Sequence, residues 1–177
     1  MRKVVGYELL SLDGVAEHPD EFFDWDDELD ANLGEVIATQ DAVLLGRRSY
    51  DEWSAFWPTS DIEPFATFIN DVAKYVVTST PLQREWTNAE PVESDVVAFV
   101  RELKRREGGD IGVHASISLA QSLLAAHLID ELRLVVAPTT VGRGRRLLDG
   151  VPPVRLELVS GTTSPSGHLV LSYRVPA

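Results

Sequence analysis

Short apolar runs recur along this chain with helix-length stretches between them, and that alternation restricts the fold more than any other feature. The runs are Lys3 to Leu10, Ala42 to Leu45, the strand around Tyr75-Val76-Val77, the strand that opens at Ile111, and Glu131 to Ala137. Between the first two, Asp26 to Thr39 places Leu29, Leu33, Val36 and Ile37 at the spacing of an amphipathic helix. Further helices are expected from about Ser49 to Phe56, stopped by Pro58, and from Pro64 to Val72. Val92 to Arg106 is read as the next helix, with Val96, Val97, Val100 and Leu103 on one face and Gly108-Gly109 ending it. Ile117 to Leu128 carries Leu119, Leu123 and Leu124. Strands that alternate with helices in this way predict an α/β fold with a mostly parallel central sheet covered on both faces. The C-terminal quarter breaks the pattern. Val154 to Val159 and His168 to Val175 alternate with period two around a loop from Ser160 to Gly167, which predicts an antiparallel strand pair at one sheet edge.

A chain of 177 residues suits one domain, 1–177, large enough to bury a core without staples. It contains no cysteine, which excludes thiol catalysis, disulfides and thiolate metal sites. The four histidines, His18, His114, His127 and His168, lack a close ligand spacing, so no metal site is expected. Sixteen basic against 28 acidic residues leave a net charge of −12. A chain so acidic is not expected to bind nucleic acid, whose recognition rests on a basic face. No apolar run approaches the roughly 18 residues of a membrane span, and Met1-Arg2-Lys3 opens only a short apolar stretch, so neither membrane nor signal peptide is expected. The expected location is the cytoplasm.

The strand ends carry the chemistry. Ala42 to Leu45 feeds Gly46-Arg47-Arg48-Ser49-Tyr50, a buried strand entering a helix whose first amides, two arginines and a hydroxyl suit the phosphates of a nucleotide. Ser49 is also expected to cap that helix. The strand around Tyr75 closes on Thr78-Ser79-Thr80 and the strand that opens at Ile111 on Val113-His114-Ala115-Ser116, again small or hydroxyl residues. A 2′-phosphate carries close to two charges, which a guanidinium fork meets bidentately. Arg47 and Arg48 have a competing use in pairing with Asp51, Glu52 or the acidic segment 24 to 28. Asp13 follows the first strand at its C-terminal end, where open α/β sheets bind ligands, and is the first choice of proton donor. Asp-Gly in that place also makes a plain turn, and Glu17, Asp24, Asp26 and Asp27 are alternatives. His114 reads either as a ligand-facing donor or as a buried structural histidine. Trp53 and Trp57, at helical spacing, belong to a core; Trp25, in an irregular acidic and aromatic segment, is the pocket candidate.

In their order and spacing, several blocks resemble the dihydrofolate reductase-like superfamily, and within it the C-terminal reductase domain of the bacterial riboflavin-biosynthesis deaminase/reductase. They are Ser11-Leu12-Asp13-Gly14-Val15, Leu44 to Asp51, Val77 to Thr80, and Ile111 to Gly150, the last including Leu128 to Leu134 and Pro138 to Gly144. The resemblance spans nearly the whole chain and implies an NADPH-dependent reductase of a small heteroaromatic or carbonyl-containing substrate. It implies that Gly46, Arg47, Arg48 and Ser49 hold cofactor phosphate and that Thr78, Ser79 and Thr80 lie beside the 2′-phosphate. Val113, His114, Ala115, Ser116 and Ile117 match the turn beneath the pyrophosphate and nicotinamide, and Asp13 and Gly14 the loop that reaches the substrate. A homodimer is implied as well. The chain departs from the pattern where relatives carry one or two glycines at His114 and Ala115; the extra methyl is harmless at negative φ and costly at positive φ. His127 likewise stands where relatives carry a glycine after a helix. The alternative to an enzyme is a nucleotide-binding or interaction module on the same fold without turnover.

Overall fold

The computed structural model describes residues 1–176 and contains one eight-stranded sheet. In chain order the strands are β1 (Val4–Leu10), β2 (Gln40–Gly46), β3 (Ala73–Val77), β4 (Ala89–Val92), β5 (Asp110–His114), β6 (Glu131–Val136), β7 (Glu157–Thr163) and β8 (Leu169–Arg174). They lie in the order β4-β3-β2-β5-β1-β6-β8-β7. All pairings from β4 through β6 are parallel, and β8 then runs antiparallel to both β6 and β7. The expected α/β fold with an antiparallel C-terminal pair is what the chain adopts.

Five helices cover the sheet: α1 (Asp27–Ile37), α2 (Arg47–Phe56), α3 (Phe65–Asp71), α4 (Val96–Arg105) and α5 (Ile117–Ala125). The apolar stripe of α1, Leu29, Leu33, Val36 and Ile37, is buried against Val5, Val43 and Leu45 together with Tyr50 of α2 and Phe65 and Ile69 of α3. The opposite face is closed by α4 and α5, through Val100, Leu103, Leu119, Ala120, Leu123 and Leu124 over Val4, Leu44, Ile111 and Leu132. β1 and β2 therefore send their chains to one face, while β5, which lies between them, sends its chain to the other. Such a reversal opens a crevice at the C-terminal ends of the strands.

Three boundaries differ from the sequence reading. Residues 89–92, Ala-Glu-Pro-Val, form edge strand β4 instead of a loop running into the helix from Val92, and α4 starts only at Val96, where the Asp95 carboxylate accepts from the Ala98 amide at 2.8 Å. Proline is tolerated there because β4 pairs on one side only. β7 runs through Ser160-Gly161-Thr162-Thr163, which reads as a loop, because β8 supplies the ladder and the strand has no helix above it to demand apolar residues. The helix after β5 stops at Ala125, short of Leu128, because His127 turns into the left-handed region at φ 54°. No helix among the described residues is long and apolar enough to cross a membrane.

Candidate active site

The crevice is walled by the loops leaving β2, β3 and β5. Helix α2 begins at Arg47, two residues earlier than the sequence suggested, with Gly46 in the capping position. Ser49 is thus inside the first turn and is not its cap; its Oγ instead accepts from the Ser116 amide at 3.2 Å and from Ser116 Oγ at 2.9 Å. The Gly46 amide donates to Ser116 Oγ at 3.0 Å, so the β2 and β5 loops are fastened to one another. Ala115 and Ser116 both adopt positive φ, 52° and 56°. That is the costly case for a residue with a Cβ.

Arg47 reaches across to the β3 loop. Its Nε donates to both carboxylate oxygens of Asp51 (2.8 and 2.9 Å), and Nη1 lies 3.2 Å from Thr78 Oγ1 and 2.6 Å from Thr80 Oγ1. The pairing with Asp51 weighed for this residue is realised, and it orients the guanidinium toward the threonines. Arg48 is 70 % exposed and touches only Glu17, at 3.5 Å. Ser79 is exposed beside them. The structure therefore gathers Gly46, Arg47, Arg48, Ser49, Thr78, Ser79, Thr80, Ala115, Ser116 and the start of α5 at Ile117.

His114 takes its structural alternative. It is 3 % exposed, its Nε2 lies 2.8 Å from Gln40 Oε1, and its ring packs against Tyr7, Phe65 and Phe68. Burial pushes its pKa down to about 3, so the ring is neutral. Gly112 makes room for this pair: a Cβ there would stand 2.1 Å from Gln40 Oε1. Val113 is wholly in the core. The side chains of Val113 and His114 are both taken up by the core, a correction to the reading of the histidine as a ligand donor.

Asp13 is held as a carboxylate. The Val141 amide (3.0 Å), the Ser11 hydroxyl (2.7 Å) and the Gly142 amide (2.8 Å) donate to it and set its pKa well below the usual carboxylate range. A carboxylate so satisfied has no proton to give near neutral pH, and its evident work is to strap the Ser11–Gly14 turn to residues 141–142. Gly14, at φ 83°, makes that turn possible, and the Gly14 carbonyl accepts from the Leu147 amide at 3.1 Å.

Trp25 is 45 % exposed and lies beside Phe23 (5.3 Å), whose ring meets that of His168 at 4.4 Å in a tilted arrangement. Here lies a network the sequence reading did not anticipate. The Asp26 carboxylate caps α1 through the Leu29 amide (2.9 Å) and accepts the Ser166 hydroxyl at 2.5 Å, while Ser166 Oγ lies 2.8 Å from His168 Nδ1. The hydroxyl proton goes to the carboxylate, so Nδ1 donates to Ser166 Oγ, while Nε2 is buried and without a hydrogen-bond partner. Asp26 is thereby occupied, its carboxyl held low by Ser166 and the Leu29 amide against the opposing effect of burial. Glu8, another unanticipated group, is buried on β1 with no partner at Oε1. A glutamate inside the apolar run Tyr7-Glu8-Leu9-Leu10 was the available signal for it.

Residues 2–170 match the family model of the RibD C-terminal domain. The chain belongs to that family. Among its relatives is the uncharacterized protein YyaP of Bacillus subtilis (strain 168), 27 % identical over 180 residues that cover 97 % of this chain and 94 % of YyaP. In three dimensions this RibD C-terminal domain chain is similar to a pyrimidine reductase-like protein from Corynebacterium diphtheriae, with a TM-score of 0.71 and 14 % identity over 99 % of this chain and 92 % of that one. It is also similar to the dihydrofolate reductase of Enterococcus faecalis, solved in complex with NADP(H), with a TM-score of 0.65 and 14 % identity over 99 % and 97 % of the two chains. Identities this low establish the shared dihydrofolate reductase-like fold. Reductases thus stand among the structures that share the architecture of this RibD C-terminal domain protein.

Proposed function

We propose that this protein is an NADPH-dependent reductase of a small heteroaromatic or carbonyl substrate, similar to the pyrimidine reductases of riboflavin biosynthesis (5-amino-6-(5-phosphoribosylamino)uracil reductase-like) or to dihydrofolate reductase. The observation that carries the reading is the convergence of Arg47, Thr78 and Thr80 beside the first turn of α2, with the first turn of α5 across the same crevice. Cationic, hydroxyl and helix-start amide groups in one place suit a phosphate-bearing dinucleotide. When bound, NADPH supplies a hydride; the chain's part is to hold cofactor and acceptor together and to keep water out. Titration of the purified protein with NADPH and NADH tests this, with NADPH expected to bind more tightly. Absence of binding by either at millimolar concentration would sink the reading.

Two observations favour the second reading, a nucleotide-binding module without turnover: the left-handed Ala115 stands at the wall of the crevice, and Asp13 has no proton to donate. Oxidation of NADPH on addition of a pteridine or aminopyrimidine acceptor would remove it. We further propose a cytoplasmic homodimer. Every residue of β7 is exposed, Leu158 and Val159 among them, with Leu169 of the neighbouring β8 also exposed, and an edge strand of this kind invites pairing with a second copy. Sedimentation at low micromolar concentration is expected to give twice the 19.5 kDa of the chain; a monomer would contradict it.

A further inference from the structure

Glu8 is 2 % exposed and its Oε1 makes no hydrogen bond. It shares strand parity with Val4 and Leu10, which lie in the cluster under α5, so its side chain faces that helix. On β6 its lateral neighbour is Leu134, and Val113 and Ile117 belong to the same apolar cluster on this face. An ionised carboxylate without a partner does not persist in such surroundings; the group is a neutral carboxylic acid. Burial, the sole influence on it, raises its pKa well above the ordinary value, which agrees.

Its position along β1 gives that acid a purpose. The β1–β5 ladder ends at Tyr7 and His114, while β1 goes on pairing with β6 as far as Leu10 and Val136. Glu8 is the first residue past the point where β5 leaves the sheet through Ala115 and Ser116 to enter α5. It therefore lies where the β1–β5 pairing ends, next to the turn that forms one wall of the crevice. Asp13, the other carboxyl at this strand end, has its oxygens occupied by three donors. Glu8 alone offers an unmatched O–H donor and an unmatched carbonyl acceptor side by side.

We propose that Glu8 recognises the carboxamide of the cofactor's nicotinamide ring, its O–H donating to the carboxamide oxygen and its carbonyl oxygen accepting from the carboxamide N–H. The inference rests on the NADPH reading above. A carboxylic acid and a primary amide each present one donor and one acceptor at matching separation, which neither a carboxylate nor an apolar side chain reproduces. Leaving such a buried pair half-made costs about 1–3 kcal/mol, or roughly 5- to 150-fold in affinity.

Binding measurements test this without a known substrate. The wild-type protein is expected to bind NADP+ at least about 5-fold more tightly than its 3-acetylpyridine analogue, which replaces the carboxamide NH2 by a methyl group. Glu8→Leu is expected to bind the two within about 2-fold of each other, and Glu8→Gln, which keeps a donor and an acceptor, to retain part of the preference. Infrared difference spectra of the wild-type protein need no variant: the protonated carboxyl band is expected to shift when NADP+ is added. If NADP+ binds while that band stays in place, or if Glu8→Leu discriminates as the wild type does, the role of Glu8 is overturned and the reductase reading stands. If the wild type binds neither NADP+ nor NADPH, the reading falls and this inference with it.

Discussion

Arg47 and Arg48 are adjacent in sequence and differ in what surrounds them. Arg47 is oriented by Asp51 and already touches two threonines, whereas Arg48 is 70 % exposed and held only by a 3.5 Å contact with Glu17. Pre-orientation lowers the entropy lost on binding, so Arg47 is the stronger candidate for the 2′-phosphate. A charge-assisted hydrogen bond contributes about 1.5–3 kcal/mol, so Arg47→Ala is expected to weaken NADPH roughly 10- to 100-fold and NADH only about 2-fold. Arg48→Ala should show the same preference with a smaller loss. Parallel titrations of both cofactors check this, and equal losses for NADPH and NADH would contradict a 2′-phosphate contact. Ala115 makes a second prediction at this scale. A non-glycine residue in the left-handed region costs about 1–2 kcal/mol, and glycine gives back about 0.4–1 kcal/mol through the unfolded chain. Ala115→Gly is thus expected to stabilise the protein by about 0.5–1 kcal/mol in urea denaturation; a loss of stability would show that the turn is not strained.

Helix α5 shows how far an element's end can be read. His127 follows the C-cap Ala126 at φ 54°, its amide donates to the Leu124 carbonyl at 3.0 Å, and the Leu128 amide returns to Leu123 at 2.9 Å. This is the left-handed closure that glycine favours. His127→Gly is expected to raise stability by about 0.5–1 kcal/mol with no change in cofactor affinity, read from denaturation midpoints and titration together. The departure from glycine is visible in the sequence, but the apolar period extends the expected helix to Leu128 because leucine continues it regardless of backbone conformation. β1, β2, β5, β6 and α1 were legible because buried faces demand apolar residues at fixed periods. β4 and the second half of β7 were not, since an edge strand pairs through its backbone and leaves its side chains to solvent. The three strand-end loops were legible as phosphate-compatible from their residue types. The mutual bonding of Ser49 with Ser116, the Asp26–Ser166–His168 network and the His114–Gln40 pair join residues far apart in sequence, so no local pattern announced them.

Across the whole molecule, the two buried groups on opposite faces of the central strands impose opposite pH dependences. His114 titrates at about 3 in the folded protein against 6.5 ordinarily, so from 6.5 down to 3 the unfolded chain binds more protons and stability falls with falling pH. Glu8 titrates well above its ordinary 4.5, so above 4.5 the folded protein holds the extra proton and stability falls with rising pH. Between 4.5 and 6.5 the slopes oppose, giving a plateau bounded by an acid loss from His114 and an alkaline loss from Glu8. Asp13 and Asp26, both held below the ordinary 3.8, steepen the acid side further. Buried Lys74, pushed down to about 8 from 10.5, binds fewer protons when folded across that window and pulls stability upward there, against Glu8. The alkaline loss is therefore clearest between 6.5 and about 8. Urea denaturation at stepped pH checks the scheme. Glu8→Gln is expected to flatten the fall between 6.5 and 8 and His114→Phe the fall below 4.5, each leaving the other limb intact. If Glu8→Gln keeps the wild-type slope above 6.5, the carboxyl is already ionised there and is not the neutral acid on which the carboxamide pairing depends.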